Sequence, residues 1–168
     1  MTRVLLVVNP IAGGGRAASL AAELERSLAS NGTRVEIHLT SLDEEPGALA
    51  AALSGVSVVV AVGGDGTLNR VVRSVVLSGT EDGTGPAIGL LPCGTGNVAA
   101  RAFGLPRRTS DLASAVAGGA TRSVDVGVVA RNGAPAGVFL LWLGAGLDAA
   151  LIQHVASRRA GVRGMRLV

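Results

Sequence analysis

At 168 residues, 48% of them hydrophobic and 25 of them glycine, with two Phe, one Trp and no Tyr, the chain can bury one good core of Val, Leu and Ala, or one domain and part of another. All fifteen basic residues are arginine, so a Walker phosphate loop, which needs Gly-Lys-Ser/Thr, is excluded, and no G-x-G-x-x-G spacing occurs either. The formal charge of +3 is uneven: residues 1 to 150 carry eleven Arg against twelve acids, and four arginines with no acid follow from Leu151, so the basicity belongs to the tail and a nucleic-acid face with aromatic platforms is not expected.

In chain order, Arg3 to Val8 is a nearly continuous apolar run, the pattern of a parallel strand covered on both faces. It is too short for a signal peptide and ends in the loop Asn9-Pro10-Ile11-Ala12-Gly13-Gly14-Gly15-Arg16, after which Leu20, Leu24 and Leu28 mark one face of a helix. Arg34 to Leu39 alternates as a strand that Thr40 ends, and Glu44 to Leu53 returns as a helix with Leu49 and Leu53 at helical spacing. Val58 to Val62 is the central strand. It stops at Gly63-Gly64-Asp65-Gly66-Thr67, and Leu68, Val71, Val72, Val75 and Val76 then recur with helical period. A polar loop, Leu77 to Gly85, leads to a strand over Pro86 to Leu91, the turn Pro92-Cys93-Gly94-Thr95-Gly96-Asn97 and a helix through Arg101 to Phe103.

From Thr121 the texture changes. Arg122 to Ala130, the Asn132-Gly133 turn signal and Gly137 to Leu143 predict a β-hairpin, and Leu151, Ile152 and Val155 begin a later helix. The longest uncharged stretch, Asn132 to Leu147, is short for a bilayer span and contains Pro135. Cys93 is the single cysteine, so no internal disulfide forms and a reducing, cytoplasmic setting is expected. His38 and His154 have no second His or Cys at ligand spacing and are read as structural.

The expected fold is α/β: an open, mostly parallel sheet with helices on both faces over residues 1–120, followed over 121–168 by the start of a β-rich second domain. Three strand–glycine turn–helix units place their turns at the carboxyl ends of parallel strands, where the crevice of such a sheet binds ligands. Helix N–H groups facing these turns suit phosphate, and Thr67 is expected to cap the central helix. An aspartate inside such a turn repels phosphate unless a cation stands between them, so Asp65 points to Mg²⁺ together with a nucleotide.

Gly63-Gly64-Asp65-Gly66-Thr67 with Leu68-Asn69 resembles the GGDGT-x-N signature of the diacylglycerol kinase catalytic domain family, shared by sphingosine and ceramide kinases, bacterial lipid kinases and, more distantly, NAD kinases. Asn9-Pro10 with Gly13-Gly14 matches the family's opening motif, and Leu91 to Asn97 with Ala100-Arg101 matches its third. Where the family has Glu after the first motif's Asn this chain has Arg70, and where an acid follows the third motif's Asn it has Val98. Val124-Asp125-Val126-Gly127 and Gly144-Ala145-Gly146-Leu147-Asp148-Ala149 resemble the opening of the family's second domain.

That resemblance implies an ATP-dependent lipid kinase that meets the membrane surface transiently and acts on a lipid with a free hydroxyl. It implies nucleotide contacts from Asn9, Gly13, Gly14, Gly15, Thr40, Gly63, Gly64, Gly66, Thr67, Gly94, Thr95, Gly96 and Asn97, and from the tail arginines Arg163 and Arg166. Asp65 would organise Mg²⁺, and Asp65 and Asp148 would take part in catalysis, Asp148 lying toward the lipid head group. In the family the β-rich domain runs on and supplies an acidic general base for which this sequence has no match, so weak transfer by the chain alone is expected. Alternatives are an NAD kinase, which shares the GGDGT turn, and a nucleotide-binding module without turnover. The hairpin strands, with Phe139, Leu141 and Trp142 on an apolar face, are expected to favour a homodimer.

Overall fold

The computed structural model describes residues 2–41, 48–78, 85–141, 143–151 and 154. Four runs rich in Val, Leu and Ile form a parallel sheet: β1 (Arg3–Val8), β2 (Arg34–Leu39), β3 (Val58–Gly63) and β4 (Ala87–Pro92), in the order β2-β1-β3-β4. β1 and β3 occupy the middle and are buried on both faces, so their sequences are apolar without alternation, whereas β2 at the edge is half-exposed throughout.

The helices are α1 (Arg16–Ala29), α2 (Ala48–Ala52), α3 (Asp65–Leu77), α4 (Val98–Ala102) and α5 (Thr109–Gly118). On one face Val4, Leu6 and Val8 of β1 and Val60 and Val62 of β3 meet α1 and α5. On the other, Leu5, Val7, Val59 and Ala61 meet Leu49 of α2 and Leu68, Val71, Val72 and Val75 of α3. The buried positions of α1 are Ala17, Ala21, Leu24 and Leu28, a stripe spaced four, three and four residues apart, which is what a single helix face presents to a sheet. Each fully buried Leu or Val contributes about 1.5–3 kcal/mol, so these two layers carry the stability of the fold.

α1 takes the chain from β1 outward to β2 on one face, while α3 takes it from β3 to β4 on the other. The direction of winding therefore reverses between β1 and β3, and a crevice opens beyond their carboxyl ends. The expected open parallel sheet, with helices on both faces, is what the structure contains.

Two local readings need correction. α5 was not expected: Leu112, Ala113 and Val116 amid Ala, Ser and Gly give a weak pattern, yet Leu112 and Ala113 are buried against the sheet. In the hairpin, β5 (Gly127–Arg131) pairs antiparallel with β6 (Ala134–Phe139), so the first strand starts at Gly127 and not at Arg122, and the second runs from Ala134 to Phe139 and not from Gly137 to Leu143. The turn is as read: Asn132 and Gly133 both have positive φ, +54° and +79°, the twist a two-residue hairpin favours. Val138 is buried in the same core as α3, so β6 packs onto that helix. Phe139 is half-buried over Gly127 and Leu141 packs partly against the core, while Val128, Leu143, Leu147 and Leu151 are exposed. Trp142 lies outside the described residues.

Candidate functional site

Three turns leave neighbouring strands and pack against one another. After β1, the Asn9 N–H donates to the Val62 carbonyl (3.1 Å), and the Asn9 Oδ1 and main-chain O accept from the N–H groups of Ile11 (3.2 Å) and Ala12 (3.0 Å). This Asx-type turn aims the chain into Gly13, Gly14 and Gly15, all left-handed at φ +61°, +68° and +91°. Arg16 returns its Nε to the Gly13 carbonyl at 3.1 Å.

The turn after β3 works differently from what its sequence suggests. Gly64 is extended (φ −102°) and is the N-cap of α3, which begins at Asp65; none of Gly63, Gly64 and Gly66 has positive φ. Glycine is needed here for closeness. A Cβ on Gly94, in the third turn, would stand 2.5 Å from the Gly64 Cα, so the two turns meet backbone to backbone. Thr67 is not the cap. It is the third residue of α3, buried, with its side chain lying over Gly63.

The third turn is closed by Asn97, left-handed at φ +48°, whose Oδ1 accepts from the Gly94 N–H (2.9 Å) and whose Nδ2 donates to the Gly94 carbonyl (2.7 Å). The Cys93 N–H donates to the Gly63 carbonyl at 2.8 Å. Asp65 then fastens the second turn to the third: its Oδ2 accepts from the Val98 N–H at 3.0 Å and its Oδ1 from the Ala99 N–H at 2.9 Å. A carboxylate on two first-turn N–H groups of α4 is a charge-assisted pair at the favourable end of that helix. Cys93 lies buried beneath this assembly, and burial pushes its thiol pKa above the ordinary value against the opposing charge of Arg16.

Beside the turns is a cleft of about 310 Å³, lined from the end of β1 by Asn9, Pro10 and Ile11, from the end of β2 by Thr40 and Ser41, and from α3 by Gly66, Thr67 and Arg70. Of the residues singled out from sequence, Asn9, Thr40, Gly66 and Thr67 line it, while Gly13, Gly63, Gly64, Asp65, Gly94 and Asn97 form the packed turns and Gly14 and Gly15 are exposed. Thr95 and Gly96 are exposed at the tip of the third turn. Asp148 is exposed in the helical segment 147–151, with its carboxylate against Gly144, and is not among the residues lining the cleft. Arg163 and Arg166 lie outside the described residues.

Sequence reasoning missed Pro10, Ile11, Ser41 and Arg70 as cleft residues. The Arg70 Nη1 donates to the Ser41 carbonyl at 3.0 Å; its signal was the departure from the family's Glu, one helical turn beyond Gly66. Among the described residues no cluster of three or more His, Cys, Asp or Glu side chains could hold a metal ion, and no helix is long and apolar enough to cross a membrane.

Comparison with known proteins decides the family. The model of the diacylglycerol kinase catalytic domain matches residues 3–129. The chain belongs to the diacylglycerol kinase catalytic domain family. It is similar to a diacylglycerol kinase of Bacillus subtilis, 32% identical over 132 residues, covering 77% of this chain and 42% of that protein. It is similar to a diacylglycerol kinase of Mycobacterium tuberculosis, 34% identical over 128 residues, covering 74% of this chain and 40% of the relative. The fold is shared with a crystal structure of a diacylglycerol kinase from Bacillus anthracis at a TM-score of 0.58 and 24% identity, over 79% of this chain and 47% of the other. The chain thus spans about two fifths of the length of these curated relatives. The diacylglycerol kinase match ends just inside the hairpin, so the glycine turns and the cleft all fall within it.

Proposed function

We propose that this chain is the nucleotide-binding part of a lipid kinase, transferring the γ-phosphate of ATP to the hydroxyl of a diacylglycerol-like lipid. The observation that carries the reading is the mutual packing of three glycine turns beside a cleft at the sheet's winding reversal. Phosphoryl transfer asks a protein mainly for positioning and charge neutralisation. In this reading Asn9, Gly66 and Thr67 orient the nucleotide along the cleft, Thr40 borders its adenosine end, and the backbone of Gly13 to Gly15 and Gly94 to Asn97 holds that surface rigid. Arg163 and Arg166 reach the triphosphate, and Asp148 faces the lipid head group. Residues 1–120 form the nucleotide-binding domain and 121 onward the start of the lipid-binding one.

The chemistry of the turn bears on Mg²⁺. Each Asp65 oxygen already accepts one N–H, which leaves each a lone pair for a metal-bound water and fits outer-sphere holding of Mg²⁺, an ion that usually keeps several waters. When bound, Mg²⁺ neutralises charge on the phosphates being transferred. The lipid acceptor brings the protein to a membrane surface transiently from the cytoplasm, and the exposed apolar residues beside the hairpin favour a homodimer.

The test is calorimetric titration with ATP and Mg²⁺, then incubation with γ-labelled ATP and vesicles containing diacylglycerol. ATP binding and weak labelling of the phosphorylated lipid are expected. Label transferred to NAD instead would assign an NAD kinase, binding without any transfer would leave a nucleotide-binding module, and absence of ATP binding would end the nucleotide reading altogether.

A further inference from the structure

α4 is held at its two ends by charged side chains from distant parts of the sequence, an anion at the amino end and a cation at the carboxyl end, each favourable to the helix dipole. At the amino end the Asp65 carboxylate accepts from the Val98 and Ala99 N–H groups. At the carboxyl end the Phe103 carbonyl accepts from the Arg122 guanidinium, whose carbon also stands 5.5 Å from the centre of the Phe103 ring. One run of hydrogen bonds joins the ends: Ala99 donates to Asp65, the Phe103 N–H donates to the Ala99 carbonyl (2.9 Å), and Arg122 donates to the Phe103 carbonyl. Arg122 lies in the stretch 120–126 between α5 and β5. Val126 and Phe103 both pack against the core that buries Val138 of β6, so the hairpin follows directly from this tether.

A helix of five residues is too short to stand by itself, because the cost of its first turn is repaid only by further turns or by packing. α4 therefore forms or frays as a unit, according to what holds its ends. We propose that α4 couples the glycine turns to the hairpin, with Arg122 as the positioning residue that ties the following chain to it. Loosening the Asp65 end frays the helix whose last carbonyl Arg122 needs, and releasing Arg122 weakens the grip of Asp65 on the first turn. The consequence for function rests on reading the turns as the nucleotide site: a ligand that steadies Asp65 also steadies the hairpin, and the effect is reciprocal.

The experiment measures amide hydrogen exchange, relative to β1 and β3, in the wild type, Arg122→Gln, Phe103→Leu, Asp65→Asn and the double variant Asp65→Asn/Arg122→Gln. Arg122→Gln is expected to speed the Val98 and Ala99 amides about two- to tenfold, the range for one net hydrogen bond, although Arg122 touches neither. Phe103→Leu keeps the carbonyl and loses the ring, and a smaller change in the same direction is expected. Asp65→Asn is expected to speed the amides of β5 and β6 in the wild-type background and to add little once Arg122 is replaced. Equal factors in the two backgrounds, the additivity of independent sites, would overturn the proposal, as would Val98 and Ala99 amides that do not respond to Arg122→Gln. Should Asp65→Asn fail to fold, the responses of Val98 and Ala99 to Arg122→Gln and Phe103→Leu decide alone. With ATP and Mg²⁺ added, exchange in β5 and β6 is expected to slow in the wild type and to slow less in Arg122→Gln; slowing at Val98 and Ala99 that never reaches the hairpin would also overturn the coupling. A wild type in which ATP changes nothing refutes the nucleotide reading instead, and the ligand-free comparison still decides the coupling.

Discussion

Replacing Asp65 by Asn tests what that carboxylate does. By sequence alone the substitution is neutral to the fold, because Asn suits turns and the glycines set the geometry. The structure gives a different answer. Asp65 accepts two N–H bonds from consecutive residues of α4, at 3.0 and 2.9 Å, and an amide has only one acceptor atom. In Asp65→Asn one charge-assisted bond, worth about 1.5–3 kcal/mol, is lost, and the other falls to a neutral bond of about 0.5–1.5 kcal/mol. The displaced NH₂ group also faces a backbone N–H. Because Asp65 is half-exposed, water recovers part of this, and we expect a net destabilisation of about 2 kcal/mol, or about 4–8 °C in melting temperature for a chain of this size. Hydrogen exchange at the Val98 and Ala99 amides should accelerate more than exchange in β1 and β3. Mg²⁺-dependent ATP affinity should also fall, by about ten- to a hundredfold if a metal-bound water is lost from the carboxylate. A melting temperature within about a degree of wild type, together with unchanged protection at Val98 and Ala99, would refute the strut. Equal Mg²⁺-dependent affinities would refute the metal role separately.

Gly94→Ala places a methyl group 2.5 Å from the Gly64 Cα, a contact that only backbone movement relieves; we expect about 1–3 kcal/mol of destabilisation with a larger proportional loss of ATP binding, and wild-type ATP binding would show that the two turns need not touch. Cys93 is buried with its thiol pKa raised by burial, so a thiol reagent at pH 8 should label it far more slowly in the native protein than in urea, and equal rates would contradict its placement. The same shift makes its contribution to stability complete below the ordinary thiol pKa and lost as pH rises through the folded value. The hydrogen bond from Arg3 holds the Glu36 pKa below its usual value, so its contribution is present above the unfolded carboxylate pKa and fades as pH falls through the folded one; Glu36→Gln should flatten the acid limb of a stability–pH curve, and an unchanged limb would show the pair to be inert.

The sheet was legible because its signals are local. Continuous Val and Leu runs specify β1 and β3, and the positive-φ pair Asn132-Gly133 specifies the hairpin turn. α5 was not legible, since its partners on α1 and β4 are remote in sequence and its own face is largely small residues. In the site, the glycine turns could be found by composition, but their mutual contact could not: nothing in Gly64 or Gly94 alone says that one lies against the other. Thr67 reads as a cap by residue type and becomes a packed residue because Gly64 takes the cap position instead. The role of Asp65 as a brace depends on α4, which begins more than thirty residues later.

That separation has a kinetic side. The contacts that complete the turn assembly join residues 33 and 34 positions apart through Asp65, and join Asn9 to Val62 across β1 and β3. No single helix or strand pair contains the assembly, which exists only once β1, β3 and β4 are all in register, the kind of non-local pairing that slows folding relative to local contacts. A ligand that binds there draws the equilibrium toward the native sheet by mass action, and resistance to proteolysis in β1 through β4 should rise with nucleotide concentration as one cooperative unit.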